Sequence, residues 1–241
     1  MVVLGRAARR SYCFLGQPVR QASLAACSGA PGTVEDRGAF FESPFPPTSQ
    51  PPPPPPSTGP EACFASRRVL GLGPGGEFRD VVPVFTGFRL GPGLGGLDAL
   101  SDDAIGICCD YGGHVGGVFF EDKGPCLLTL FGAPIAHGND LERACRFASD
   151  LAALHSGRTR SALSAGRGYA GLLGSRGRCT YTALGDVVNT ACRVMCRAEW
   201  GSVMIAGRRG LRSAAGLQMV PRGHMRLKGK DRPVSVAAVE P

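Results

Sequence analysis

The sequence predicts a mixed α/β or α+β domain, with a largely covered sheet, over roughly its last two-thirds. Two observations carry this. Short runs rich in β-branched and aromatic residues are interleaved there with segments whose apolar residues recur at three- and four-residue spacing. Much of the combined excess in Gly and Pro (36 and 20 of 241 residues) falls before residue 100, which sets the earlier part of the chain apart from the later.

Six consecutive prolines, Pro51 to Pro56, favour a polyproline II spacer and exclude a packed core. The chain therefore divides into residues 1–40, a Pro-rich linker over 41–78, and a domain over 79–241. Within the domain, Val81 to Phe85 reads as a buried strand and residues 97–110 as weakly helical. Val115 to Phe120 and Leu127 to Phe131 form a hairpin around Glu121 to Pro125, a turn by composition. Asn139 to His155 is a helix whose buried face is Leu141, Ala144, Cys145, Ala148, Leu151 and Ala152, with Asn139 or Asp140 as its cap. Ser161 to Leu173 and Cys179 to Leu184 are strands around the Gly174–Gly177 turn. Asp186 to Arg197 is a second helix, capped by Asp186. Val203 to Ala206, Leu217 to Val220 and Val234 to Val239 are later strands.

Net charge is +8, yet the basic residues are scattered and no run of five occurs. The densest group, Arg158, Arg160, Arg167, Arg176 and Arg178, is interrupted by Gly, Ser and Thr, and reads either as solvated surface or as a face for a phosphate-rich ligand. Without a basic stripe and interleaved aromatics, no nucleic-acid partner is expected. The ten cysteines form neither a CxxC pair nor a zinc-spaced Cys/His set. They read as small buried residues of a reducing, cytoplasmic setting. No run of 18 apolar residues occurs, so no transmembrane helix is expected.

Tyr181 to Arg193 (YTALGDVVNTACR) resembles the signature of class III nucleotidyl cyclases, in which a GD-x-VN-x-A-x-R run opens a helix. Gly166 to Gly174 is similar to the glycine-rich strand before that signature. Gly112-Gly113-His114, Asp122-Lys123-Gly124 and Leu130 to Pro134 are similar to the soluble adenylyl cyclase branch, and Leu227-Lys228-Gly229-Lys230 to the closing basic element. The motifs run in order over about residues 79–240. Phe14 to Ser23 and Ala30 to Val34 resemble the last third of a first cyclase domain, which makes residues 1–40 a possible remnant of one.

The resemblance implies an α+β cyclase sandwich with a ferredoxin-like core, helices on one face and the other face turned toward a partner. It implies conversion of ATP to cyclic AMP and pyrophosphate at an interface with a first-type cyclase domain or in a homodimer. By the same resemblance, Asn189 orients the ribose and Arg193 stabilises the α-phosphate. Their i, i+4 spacing places them on one helix face. Lys123, Thr182 and Ala183 match base-reading positions. A lysine donor with a hydroxyl acceptor suits the adenine edge. Lys228 or Lys230 would meet the triphosphate.

The family's metal set is missing. Val84 to Phe88 (VFTGF) resembles the opening D-I-S-G-F strand, with Val84 where the first metal aspartate would stand. The second would fall within Pro125 to Leu127. None of these offers the carboxylate oxygens Mg²⁺ requires, so any Mg²⁺ would come with a partner domain's aspartates. Only Leu90 to Tyr111 bridge a gap where the family carries longer helices, and Gly91, Gly93, Gly95 and Gly96 weaken that segment. The alternative reading is a catalytically inactive cyclase-like module for nucleotide binding or dimerisation.

Overall fold

The computed structural model describes residues 2–4, 11–13, 69, 72, 75–89, 95–121, 124–175, 178–208, 210 and 217–240. Strands β1 (Val2–Leu4) and β2 (Ser11–Cys13) pair antiparallel by themselves. The Pro-rich run lies outside the described residues. The long strand β3 (Gly75–Phe88) is the centre of everything else. It begins at Gly75, so the last residues assigned to the linker belong to the sheet.

Helix α1 (Gly95–Asp110) leads to the hairpin of β4 (His114–Glu121) and β5 (Gly124–Phe131). Helix α2 (Asp140–Leu154) leads to β6 (Thr159–Ser164). With β3 these make a βαββαβ unit whose strands lie in the order β6-β3-β5-β4, the ferredoxin-like arrangement expected. A second hairpin, β7 (Gly166–Ser175) and β8 (Arg178–Leu184), precedes helix α3 (Asp186–Met195). Strands β9 (Val203–Ala206), β11 (Val234–Val239) and β10 (Met219–Met225) then extend the sheet beyond β6.

The strand expected over Ser161 to Leu173 breaks at Ala165, and the reason lies in β3. Residues Val84 to Phe88 of β3 pair with β6, and Gly75 to Val81 pair with β7. The ladder lapses at Val82 and Pro83, and proline brings no amide hydrogen to a ladder. Further along, β3 and β7 approach so closely that a Cβ on Gly171 would lie 2.3 Å from the Cα of Gly76. Only a glycine pair fits there.

Helix α1 forms despite its opening glycines. Leu97, Leu100, Ser101, Ala104, Ile105 and Cys108 are buried along one stripe, so packing rather than propensity holds it. That stripe joins Val82, Val84 and Phe88 of β3 and Leu141, Phe147 and Leu151 of α2 in one core. The opposite face of β3, with Val81 and Phe85, packs on Val187, Ala191, Val194 and Met195 of α3 and on Tyr181 and Ala183 of β8. The expectation of helices on one face is thus corrected: α1 and α2 cover one side, and α3 lies on the other.

At the N-terminus of α2, Asn139 occupies the cap position without a side-chain capping bond. Its Oδ1 accepts from Arg143 Nε at 2.8 Å, while the Asp140 carboxylate accepts from the His137 amide.

Candidate nucleotide-binding face

The face begins with a turn that only glycine makes. Gly185 is the N-cap of α3 with φ at 137°, and the amides of Val188 and Asn189 donate to its carbonyl at 3.1 and 3.2 Å. Asp186, expected as the cap, is instead the first helical residue. Its carboxylate is therefore not spent on capping. It lies in the first turn, where the helix dipole favours negative charge, and pairs with the ammonium of Lys230.

Val187, Thr190, Ala191, Val194 and Met195 turn inward from α3. The remaining face carries Asn189, exposed, and Arg193, half-buried, one turn apart. Neither side chain has a hydrogen-bond or ion-pair partner among the described residues.

The turn Lys228-Gly229-Lys230 folds against this helix. It is pinned by buried Leu227, whose carbonyl accepts from the Lys230 amide at 3.1 Å. Gly229 has φ at 70°, and a Cβ there would stand 3.5 and 3.7 Å from Nη1 and Nη2 of Arg193. The guanidinium thus lies directly under the turn. One helix turn further on, Arg197 donates to the carbonyl of Arg226 and ties the same connection down.

Four of the residues read from the sequence, Asn189, Arg193, Lys228 and Lys230, are therefore gathered on one side of α3. Arg193, Lys228 and Lys230 bring three cations to that side, and the Asp186 carboxylate pairs with one of them. Such a set suits phosphate oxygens, because arginine offers a fixed fork of donors and lysine a mobile point charge. The tether Asp186–Lys230 and the close seat of Gly229 escaped the sequence reading. The first joins residues 44 apart, and the second shows only as a glycine between lysines.

Thr182 lies on β8, the strand that feeds α3. Its neighbours Tyr181 and Ala183 are buried, so Thr182 faces the other way, opposite Gly171 of β7. Burial is the largest cause raising the Tyr181 pKa, against the lowering influence of the Arg79 guanidinium. Ala183 offers a ligand only its backbone. Lys123 lies outside the described residues.

The positions where metal carboxylates would stand are apolar, and all but the half-buried Pro125 are closed. Val84 is fully buried on the α1–α2 side, and Cys126 and Leu127 are buried on opposite faces of β5. The nearby hydroxyls of Thr86 and Ser161 bond each other at 2.8 Å. Among the described residues no group of three His, Cys, Asp or Glu side chains converges. These residues do not fit a divalent cation.

A βαββαβ core, a glycine-rich hairpin crossing onto its second face, and a polar helix opened by Gly-Asp define a domain of the class III nucleotidyl cyclase fold. The adenylyl cyclase CyaB from P. aeruginosa, known from a crystal structure, matches with a TM-score of 0.61 at 20% identity, over 69% of this chain and 96% of that one. The guanylate cyclase domain of RhGC from Catenaria anguillulae, crystallised in complex with GTP, matches with a TM-score of 0.60 at 21% identity, over 68% and 98%. In sequence, the chain is 28% identical over 138 residues to adenylate cyclase 1 of Rhizobium meliloti (strain 1021). That match takes in 51% of this chain and spans about a fifth (21%) of the relative's length. No family model matches the chain. No described helix is long and apolar enough to cross a membrane.

Proposed function

We propose that this domain is the second-type half of an adenylyl cyclase, supplying base- and phosphate-binding groups to an active centre completed by a first-type domain. The observation that carries the reading is the pair Asn189 and Arg193 on one face of α3, without partners among the described residues, with Arg193 lying beneath the 228–230 turn. In the reaction the resemblance implies, the ribose 3′-hydroxyl attacks the α-phosphorus and pyrophosphate departs. Charge accumulates on the α-phosphate oxygens, where the Arg193 fork is worth most. Asn189 holds the ribose in line. Lys230, tethered by Asp186, turns toward the departing phosphates, and Lys123 with Thr182 reads the adenine edge. Mg²⁺, if held by a partner domain's aspartates, would add divalent charge at the phosphates to that of Arg193 and Lys230.

The experiment is a cyclase assay with ATP and Mg²⁺, on the chain alone and mixed with a first-type domain. Cyclic AMP is expected only from the mixture, with ATP preferred over GTP. Arg193→Ala should lower the rate by about a hundredfold or more, the scale of losing one transition-state donor. A second reading has its own support in the closed, apolar Val84 and Cys126 positions: a module that binds nucleotide or a partner without turnover. ATP binding without product in any mixture would select it.

A further inference from the structure

We propose that Arg89, Arg158 and Arg160, gathered around Trp200, form a phosphate-binding site where β3 ends and β6 begins, separate from the Asn189 face of α3. Backbone pairing builds the cluster. The Arg89 amide donates to the Arg158 carbonyl at 2.8 Å, and Arg158 Nη2 returns a bond of 3.5 Å to the Arg89 carbonyl. Arg160 crosses Gly87, where a Cβ would stand 3.3 Å from its Nε, and its Nη1 donates to the carbonyls of Cys196 and Ala198 at 3.2 and 3.4 Å. The loop after α3 is anchored by the Gly201 amide on the Thr159 carbonyl at 2.7 Å, which sets Trp200 beside the arginines. The Cζ atoms of Arg89 and Arg160 lie over its ring, 4.2 and 4.5 Å from the centroid.

None of the three arginines has an ion pair among the described residues. Nor does Glu199, the acid next to Trp200, whose carbonyl accepts from Ser202. Two guanidinium charges over one ring lie within about a Debye length (~10 Å at 0.1 M salt) of each other, so they repel with little screening. The ring's negative face offsets part of that. A phosphate seated among the guanidinium edges offsets the rest and takes forked donors that Arg89 and Arg158 hold toward solvent. A stacked nucleobase is the poorer fit, since guanidinium groups already lie over the ring. Arg158 and Arg160 are also part of the densest basic group in the sequence, which the α3 face does not use.

Trp200 is the single tryptophan of the chain, so its fluorescence reports on this site alone. The full chain is titrated at constant ionic strength with inorganic pyrophosphate, and separately with phosphatidylcholine vesicles with and without phosphatidic acid. A saturable change with pyrophosphate assigns a free anion. A saturable change only with phosphatidic acid vesicles assigns a lipid headgroup, and either result supports the site. Arg158→Gln, which leaves both cations over the ring in place, should weaken binding about tenfold, and Arg158→Lys less. Arg193→Ala should leave the response unchanged. The proposal is overturned if chloride reproduces the change, if neither probe saturates, if Arg158→Gln and Arg89→Gln together leave the affinity unaltered, or if Arg193→Ala abolishes the response. None of these readouts involves ATP, a partner domain or turnover, so the site stands or falls independently of the cyclase reading.

Discussion

Cys145 shows how one buried side chain ties stability to pH. It is 1% exposed on the inner face of α2, where burial first and the Glu142 charge second push its thiol pKa from 9.0 to about 12. The folded state therefore keeps a proton that the unfolded chain releases above pH 9. The stabilisation is fully present below pH 9 and is lost as pH rises toward 12. Tyr111 and Tyr181 are shifted in the same direction, Tyr111 chiefly by its bond to Asp150 and Tyr181 chiefly by burial. Unfolding free energy measured by denaturant should fall steadily above pH 9. Cys145→Ala should flatten that slope while lowering stability at neutral pH by about 1 kcal/mol or more through the space it leaves. An unchanged slope would mean that the thiol is not what titrates. The site shows the same dependence on context. Asn189 and Arg193 were legible through the resemblance of residues 181–193 to the cyclase signature, their i, i+4 spacing adding only that they share a helix face, whereas the Asp186–Lys230 pair and the Arg89–Trp200 contact join residues far apart in sequence.

At the scale of elements, strands β9 and β11 were readable to the residue. Each is a short β-branched or apolar run bounded by breakers, and nothing distant is needed to define it. The opening of β3 was not readable, because Gly75-Gly76-Glu77-Phe78-Arg79-Asp80 has no strand composition; pairing with β7 makes it a strand. Helix α1 was read as weak and is held by the stripe it buries. The same tertiary context decides the fate of the missing metal set. Val84 is paired with Thr129 and Leu163 and fully buried beneath α1 and α2. Val84→Asp would place a carboxylate there without a partner, at a cost of several kcal/mol. We expect its melting temperature to drop by about 10 °C or more, with no recovery in Mg²⁺. A variant that Mg²⁺ restabilised would show that the cage lies one substitution away.

For the whole molecule, the two cores on opposite faces of one sheet leave a third surface without cover. Phe78, Tyr169 and Leu184 are direct cross-strand partners on β3, β7 and β8, and Phe78 and Tyr169 meet edge to face at 5.4 Å. Phe78 is 66% exposed and Leu184 53%, an apolar line on a hairpin that branches off the main sheet. Leu184 is followed at once by Gly185 and α3, so a domain seated on this line would stand next to Asn189 and Arg193. Under the proposed reading this is where the first-type half docks. Since both side chains are largely exposed, Phe78→Ser with Leu184→Ser should lower folding stability by only about 1–2 kcal/mol, the scale of the lost ring contact and cross-strand pair. The same pair of substitutions removes large apolar anchors from a contact, and losses of one such anchor run above about 1 kcal/mol. Complemented cyclase activity should then need at least about tenfold more partner to reach half its maximum, with the rate at saturation unchanged. Equal potency of the variant and the unaltered chain would move the docking surface off this hairpin and leave its aromatic line to another role.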